Sequence, residues 1–307
     1  MRTYRLQFRP HAHCGVLIPI GSRARRGLLV AAALLALPAW RAPAAAQDRE
    51  APRPPDARVA VAQDLAAQAQ DTVPVIRCCV QPPAGLRFWA PFNGSYVTAV
   101  PGFAGNPQGV VSWTTSLPPG HTGSALSLQA SGRVDYLSSA TTSLGTGNFT
   151  VDAWIRVPQT TTGVNPFLDN RLTNPLRGFQ LFAYNGRIGF QMADATSAPG
   201  YDNFVAPANT ILAPGTWHFV AVTVTRNSPT GGRIYVDCNL VLTFDPTKRQ
   251  GSLGTNNRLT IGHDLNNVWG QGAAFDIDEV EIFHRALTPA EVAALCRYPK
   301  CRPTAMP

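Results

Sequence analysis

From Leu86 onward, short runs rich in Val, Ile, Thr and aromatic residues alternate with clusters of Gly, Pro, Asn and Ser. The clearest run is FTVDAWIRV, residues 149–157. A strand projects successive side chains to opposite faces, so Phe149, Val151, Ala153, Ile155 and Val157 share one face. Thr150, Asp152, Trp154 and Arg156 share the other. Many such runs between turn signals predict an all-β sandwich or barrel. WHFVAVTVT, residues 217–225, is apolar on both faces and is placed at the centre of its sheet. Residues 179–184 and 187–193 flank Asn185-Gly186, a pair that accepts positive φ at both turn positions and predicts a type I′ hairpin. Residues 231–238 and 240–244 predict a second hairpin, around Asn239, and residues 259–262 and 275–283 the last strands. A single helix is predicted: Thr288-Pro289-Ala290-Glu291 forms a capping box with proline at the first helical position, and the helix ends near Cys296.

The first 46 residues read differently. Arg23, Arg25 and Arg26 precede an apolar run over 28–39 and then APAAAQ, the order of a secretory signal with cleavage between Ala46 and Gln47. The run is too short to span a bilayer, which needs about 20 residues, so a membrane role through an uncleaved leader is not expected. The Arg25-Arg26 pair also fits twin-arginine export. Residues 47–83 are rich in Ala, Pro, Gln and charge and read as a disordered tether; residues 84–298 form the β domain and 299–307 a tail. The formal charge of +8 is a property of the leader. Removing its seven arginines leaves 19 bases against 18 acids, and no basic stripe interleaved with aromatics remains for nucleic acid.

In an exported chain the remaining cysteines can oxidise. Cys78 and Cys79 precede the first predicted strand and Cys296 and Cys301 lie at the C-terminus, so bridges among them would close the domain end to end. Adjacent Cys78 and Cys79 rarely bond each other. Cys238 is left over and reads as a small buried apolar residue.

Eight segments in order resemble a laminin-G-like jelly roll of the concanavalin A-like lectin/glucanase superfamily. They include GLRFWAPFNG from Gly85, NFTVDAWI from Asn148, GTWHFVAV from Gly215, RIYVD from Arg233, LTIG from Leu259 and IDEVEIFHRALT from Ile277. The resemblance spans about residues 84–298 and implies two antiparallel sheets stacked face to face, closed by a short C-terminal helix. Such proteins usually carry Gly after the Tyr-Val-Asp of the late hairpin, where this chain has Cys238.

The stretch FDIDEVEIF, from Phe275, holds Asp276, Asp278, Glu279 and Glu281. Laminarinase-type relatives use Glu-x-Asp-x-x-Glu as nucleophile, helper and acid/base, and Asp276, Asp278 and Glu281 match that spacing with Asp in the first place. In a regular strand, however, Asp276 and Asp278 face one side and Glu281 the other; a bulge is required to gather them. A β-glucan hydrolase is therefore the alternative to a non-catalytic module. The resemblance also implies one structural calcium ion, with Asp278 as a side-chain ligand and carbonyls near Asn93 or Gly94 as companions. Calcium takes six to eight oxygens, and the loop after the first strand contains no acid. Asp278 can instead bond turn amides or pair with Arg285.

Exposed aromatics on a sandwich face can stack on sugar rings. Trp154, Tyr184, Tyr201 and Trp269 are the candidates. The expected function is an exported binding module for a glycan or an extracellular protein, at the cell surface or in the periplasm; a purely adhesive domain is the third reading.

Overall fold

The computed structural model describes residues 79–301 except 197 and 266–271. It also describes the backbone of two strands near the N-terminus, β1 (Tyr4–Phe8) and β2 (Gly15–Pro19), which pair antiparallel. The rest of the expected leader, the tether up to Cys78, and Trp269 lie outside the described residues.

The domain opens with β3 (Leu86–Ala90), β4 (Asn106–Gln108), β5 (Val111–Thr114), β6 (Ala125–Leu128) and β7 (Arg133–Tyr136). Next come β8 (Phe149–Arg156), β9 (Val164–Asp169), β10 (Leu172–Thr173), β11 (Leu176–Tyr184), β12 (Arg187–Asp194) and β13 (Tyr201–Val205). It closes with β14 (Trp217–Val224), β15 (Gly232–Val236), β16 (Asn239–Phe244), β17 (Leu259–Ile261), β18 (Phe275–Phe283) and helix α1 (Pro289–Arg297).

These strands form two antiparallel sheets. The first runs β13-β12-β11-β9-β17-β7-β4, with β10 beside β11. The second runs β16-β15-β14-β8-β18-β6-β5, with β3 on the second half of β18. The inner faces meet in one apolar core to which β8 contributes Phe149, Val151, Ala153 and Ile155, the face set by alternation. Ring contacts cross between the sheets at Phe149–Phe190, Phe167–Phe275, Phe88–Tyr136 and Phe204–Phe244. β14 lies between β8 and β15, and both its faces are covered. The all-β jelly-roll expectation describes this architecture.

Both hairpins form, the second with a shifted turn. Asn185 and Gly186 have φ of 49° and 75°, as the type I′ turn requires. The late hairpin turns at Asp237 and Cys238, at φ 49° and 67°, and Asn239 already begins β16.

A second apolar cluster lies on the outer face of the second sheet. Trp154, Phe219, Ala221 and Tyr235 pack there with Leu287, Val292 and Leu295. Thr288 caps α1 and Glu291 returns the capping-box bond. Arg285 pairs with Glu291 at 2.6 Å, which removes it as the expected partner of Asp278.

The domain reaches beyond its expected limits at both ends. Val80 pairs with Lys300, and Cys79 is bonded to Cys301, so 79–83 and 299–301 belong to the fold. Cys238 is not a lone buried thiol: it is bonded to Cys296 and ties the late hairpin turn to α1. That bond explains why cysteine occupies a left-handed position suited to glycine. Cys78 lies outside the described residues.

Candidate functional site

The acidic strand departs from simple alternation. β18 and β8 keep register from Asp276 to Asp278, then shift by one residue before Glu281, which pairs with Asp152. The extra residue is Glu279, at φ 53°. Its position has a local cause: the first half of β18 pairs with β6 and the second half with β3, and the bulge sits where the partner changes. Asp276, Asp278 and Glu281 therefore share the outer face with Asp152 and Trp154, contrary to the expectation that Glu281 points away.

The gathered carboxylates do not open onto a cleft. Glu281 and Asp152 have no exposed surface. Lys300, itself buried, lies 2.9 Å from Glu281 and 3.1 Å from Glu279. Trp89 Nε1 donates to Glu279 at 2.6 Å, and Arg156 Nε donates to Asp276 at 2.7 Å. Burial, reinforced by Glu281, pushes the Asp152 carboxyl well above the usual carboxylate range; burial also raises that of Glu281. A sugar ring has no route to this pair.

Asp278 is buried on the same face. Its Oδ1 accepts from the Glu279 amide at 3.0 Å, and its Oδ2 lies 3.8 Å from His121 Nδ1. His121, Asp278 and Glu279 bring ligand atoms within 4.8 Å of one another. Calcium takes six to eight oxygens. Among the described residues the side-chain donors gathered here are one imidazole and two carboxylates, one already paired with an ammonium, fewer oxygens than calcium takes.

Trp154 lies on the non-core face as expected but is not presented to a ligand. It is buried in the second apolar cluster, edge-on to Phe219 at 5.5 Å. Alternation places a side chain on a face, and only the packing of α1 shows that this face is covered.

Among the described residues, an open groove lies on the outer face of the first sheet. Val164, Gln180, Phe182, Tyr184, Gln191, Asn203 and Val205 line a groove of about 200 Å³. Each is the alternate of a core residue: Phe179, Leu181 and Ala183 point inward from β11, and Gln180, Phe182 and Tyr184 outward. The Phe182 ring lies over Gly189, where a Cβ would come within 2.4 Å of it, so the groove floor needs glycine there. Tyr184 is 40% exposed at the groove's end, with the Arg187 guanidinium 5.6 Å from its ring centroid. Tyr201 shares the face of Asn203 but lies outside the lining, and its carbonyl accepts from Arg249.

A buried polar network fixes the amides. Arg171 donates to both oxygens of Asp169, to Asp264 at 2.8 Å and to Gln191 at 2.6 Å. Gln180 donates to Asp169 at 3.0 Å, and Gln191 to Asn203 at 2.8 Å. Burial pushes the Asp169 carboxyl up to about 6 against the pull of Arg171. Among the described residues no partner engages the Gln180 carbonyl oxygen or the Asn203 amide nitrogen, and both side chains are held in place by their other bonds. Sequence reading missed these amides. A signal existed: Gln180 and Gln191 are equidistant from the Asn185-Gly186 turn, and the structure pairs them.

Comparison with known proteins bears on fold and family. A family described as the concanavalin A-like lectin/glucanases superfamily matches residues 131–293. No curated protein matches the sequence. The binding domain of Paraclostridial Mosquitocidal Protein 1 is similar in structure, with a TM-score of 0.56 at 14% identity over 69% of this chain and 52% of that one. Domain 4 of AbnA, a GH43 extracellular arabinanase from Geobacillus stearothermophilus solved with arabinotriose, gives 0.53 at 17% identity over 69% of this chain and 98% of that one. The botulinum neurotoxin serotype D ligand binding domain, in complex with N-acetylneuraminic acid, gives 0.54 at 14% identity over 69% and 50%. The chain spans about half the length of the two toxin domains. At these identities the likeness establishes the fold, while the family match covers more than half of the sequence: this chain belongs to the concanavalin A-like lectin/glucanases superfamily.

Proposed function

We propose that the protein is an exported, non-catalytic binding module that takes a glycan in the groove over β9, β11, β12 and β13. The observation that carries this reading is the lining itself: three amide side chains, orientated by a buried arginine network, beside Phe182 and a half-exposed Tyr184. Amides bond sugar hydroxyls as both donor and acceptor, and an aromatic face stacks on the apolar side of a pyranose. Support comes from like folds solved with arabinotriose and with N-acetylneuraminic acid. Export is supported by two disulfides among the described residues, Cys79–Cys301 and Cys238–Cys296, since such bonds persist in oxidising compartments.

The test is affinity measurement of the full chain on a polysaccharide and sialoside panel, with reducing-sugar release followed in the same wells. Tyr184→Ala should weaken binding about fivefold, the worth of one stacking contact of roughly 1 kcal/mol. Asn203→Ala should weaken it further. Binding that neither substitution alters would remove the groove from consideration. Sugar release abolished by Glu281→Gln would replace the module with a hydrolase.

A further inference from the structure

We propose that Lys300 and Glu281 become joined by an amide bond in the folded protein, a covalent tie between the C-terminal strap and strand β18. The reacting atoms are already together: Lys300 Nζ lies 2.9 Å from Glu281 Oε2, and the two side chains are 1% and 0% exposed. Despite that approach, neither Glu281 oxygen accepts a well-aligned hydrogen bond among the described residues. Asp152, opposite Glu281 in the register, has no exposed surface, and among the described residues neither of its oxygens accepts one either. A proton shared between the two carboxyls accounts for their juxtaposition, consistent with the upward shift of both. Two carboxyls and an amine sealed from water are poorly accommodated as ions. Condensation removes one ion pair and leaves a neutral amide.

The neighbours supply the proton transfers. Burial lowers the proton affinity of Lys300, but the carboxylates around it more than restore it, so the ammonium must give up a proton before it can attack. Glu279 is the acceptor, with Oε2 3.1 Å from Nζ and pinned by Trp89 Nε1. Asp152 passes its proton to Glu281. The free amine then attacks Glu281 Cδ, forming the C–N bond. The nitrogen releases a second proton to Asp152, which returns it to the departing hydroxyl as the C–O bond breaks and water leaves. The products are one amide, one water, a protonated Glu279 and an ionised Asp152, with charge and atoms conserved. Proximity drives the step: a fixed near-attack pair reacts at effective concentrations far above those in solution. The strap is held on both sides of the nucleophile, by the Val80–Lys300 pairing and by the Cys79–Cys301 bond.

The experiment is peptide mapping of the full chain after refolding or export, incubation at neutral pH, reduction, alkylation and trypsin digestion. Acylated Lys300 resists trypsin, and Arg302 precedes proline. The expected product is therefore residues 259–285 joined to the tryptic peptide that begins at Tyr298, lighter than their sum by one water, with fragmentation placing the link at Glu281. Lys300→Arg, which keeps the charge but offers no amine, should fold and lose the linked species. Asp152→Asn should slow its appearance by about a hundredfold or more, the usual scale of a lost proton relay. Free peptides with cleavage after Lys300 in the wild type would overturn the proposal, as would a link to any other carboxyl.

Discussion

The Cys238–Cys296 bridge gives a prediction that separates chain entropy from backbone strain. It closes a loop of 58 residues. On the loop-entropy relation, opening it costs about 4 kcal/mol at 25 °C. Cys238 also sits at φ 67°, where a non-glycine residue is disfavoured by about 1 kcal/mol. Two double variants divide these contributions. Cys238→Ala with Cys296→Ala loses the bridge and keeps the strain, and should be destabilised by about 4 kcal/mol. Cys238→Gly with Cys296→Ala loses the bridge and relieves the strain, so it should recover about 1 kcal/mol of that loss. The outer bridge, Cys79–Cys301, stays intact in both, so the comparison is made within one closed chain. Urea unfolding followed by tryptophan fluorescence reads the difference as a shift in midpoint at constant slope. Equal midpoints for the two variants would refute the backbone argument. A loss below about 1 kcal/mol in the alanine variant would refute the loop argument.

The Asp169 carboxyl, pushed up to about 6 from an ordinary 3.8, favours the folded state while it is protonated. Its contribution is therefore full below about pH 4 and lost as pH rises through about 6, a difference of about 3 kcal/mol. Urea midpoints of the wild type and Asp169→Asn should converge at low pH and diverge over that window, with the wild type falling; parallel profiles would count against it. Arg171→Leu removes the guanidinium shared by two buried carboxylates and should cost about 3–5 kcal/mol in the same assay. A loss under about 1 kcal/mol would mean that the network does not hold the groove. Thr288→Ala removes the cap of α1 and should cost about 1 kcal/mol, read as a lower thermal midpoint. Chelator should leave that midpoint unchanged, because the side-chain oxygens around Asp278 among the described residues are fewer than calcium takes.

Period-two patterning, one Asn-Gly turn and one capping box were enough to place β8, β11, β12, β14 and α1, because each depends on side chains a few residues apart. The core face of β8 follows from alternation alone. What alternation cannot supply is the partner. The bulge at Glu279 arises because β18 changes neighbours from β6 to β3, a fact spread over nearly 200 residues of chain, and it reverses the side on which Glu281 stands. Alternation puts Trp154 on the non-core face but cannot show what surrounds it there, since helix α1, more than 130 residues later, covers that face. Cys238 could be seen to replace a glycine, but its bond to Cys296 depends on where the helix docks. Lys300 carries no pattern at all; its position comes from a strap closed by Val80 and Cys79 at the other end of the domain. The sequence determined the strands and their faces, which are local. Tertiary structure decided which faces are covered, which charges meet and where a ligand can enter, because those depend on contacts between segments that are distant along the chain.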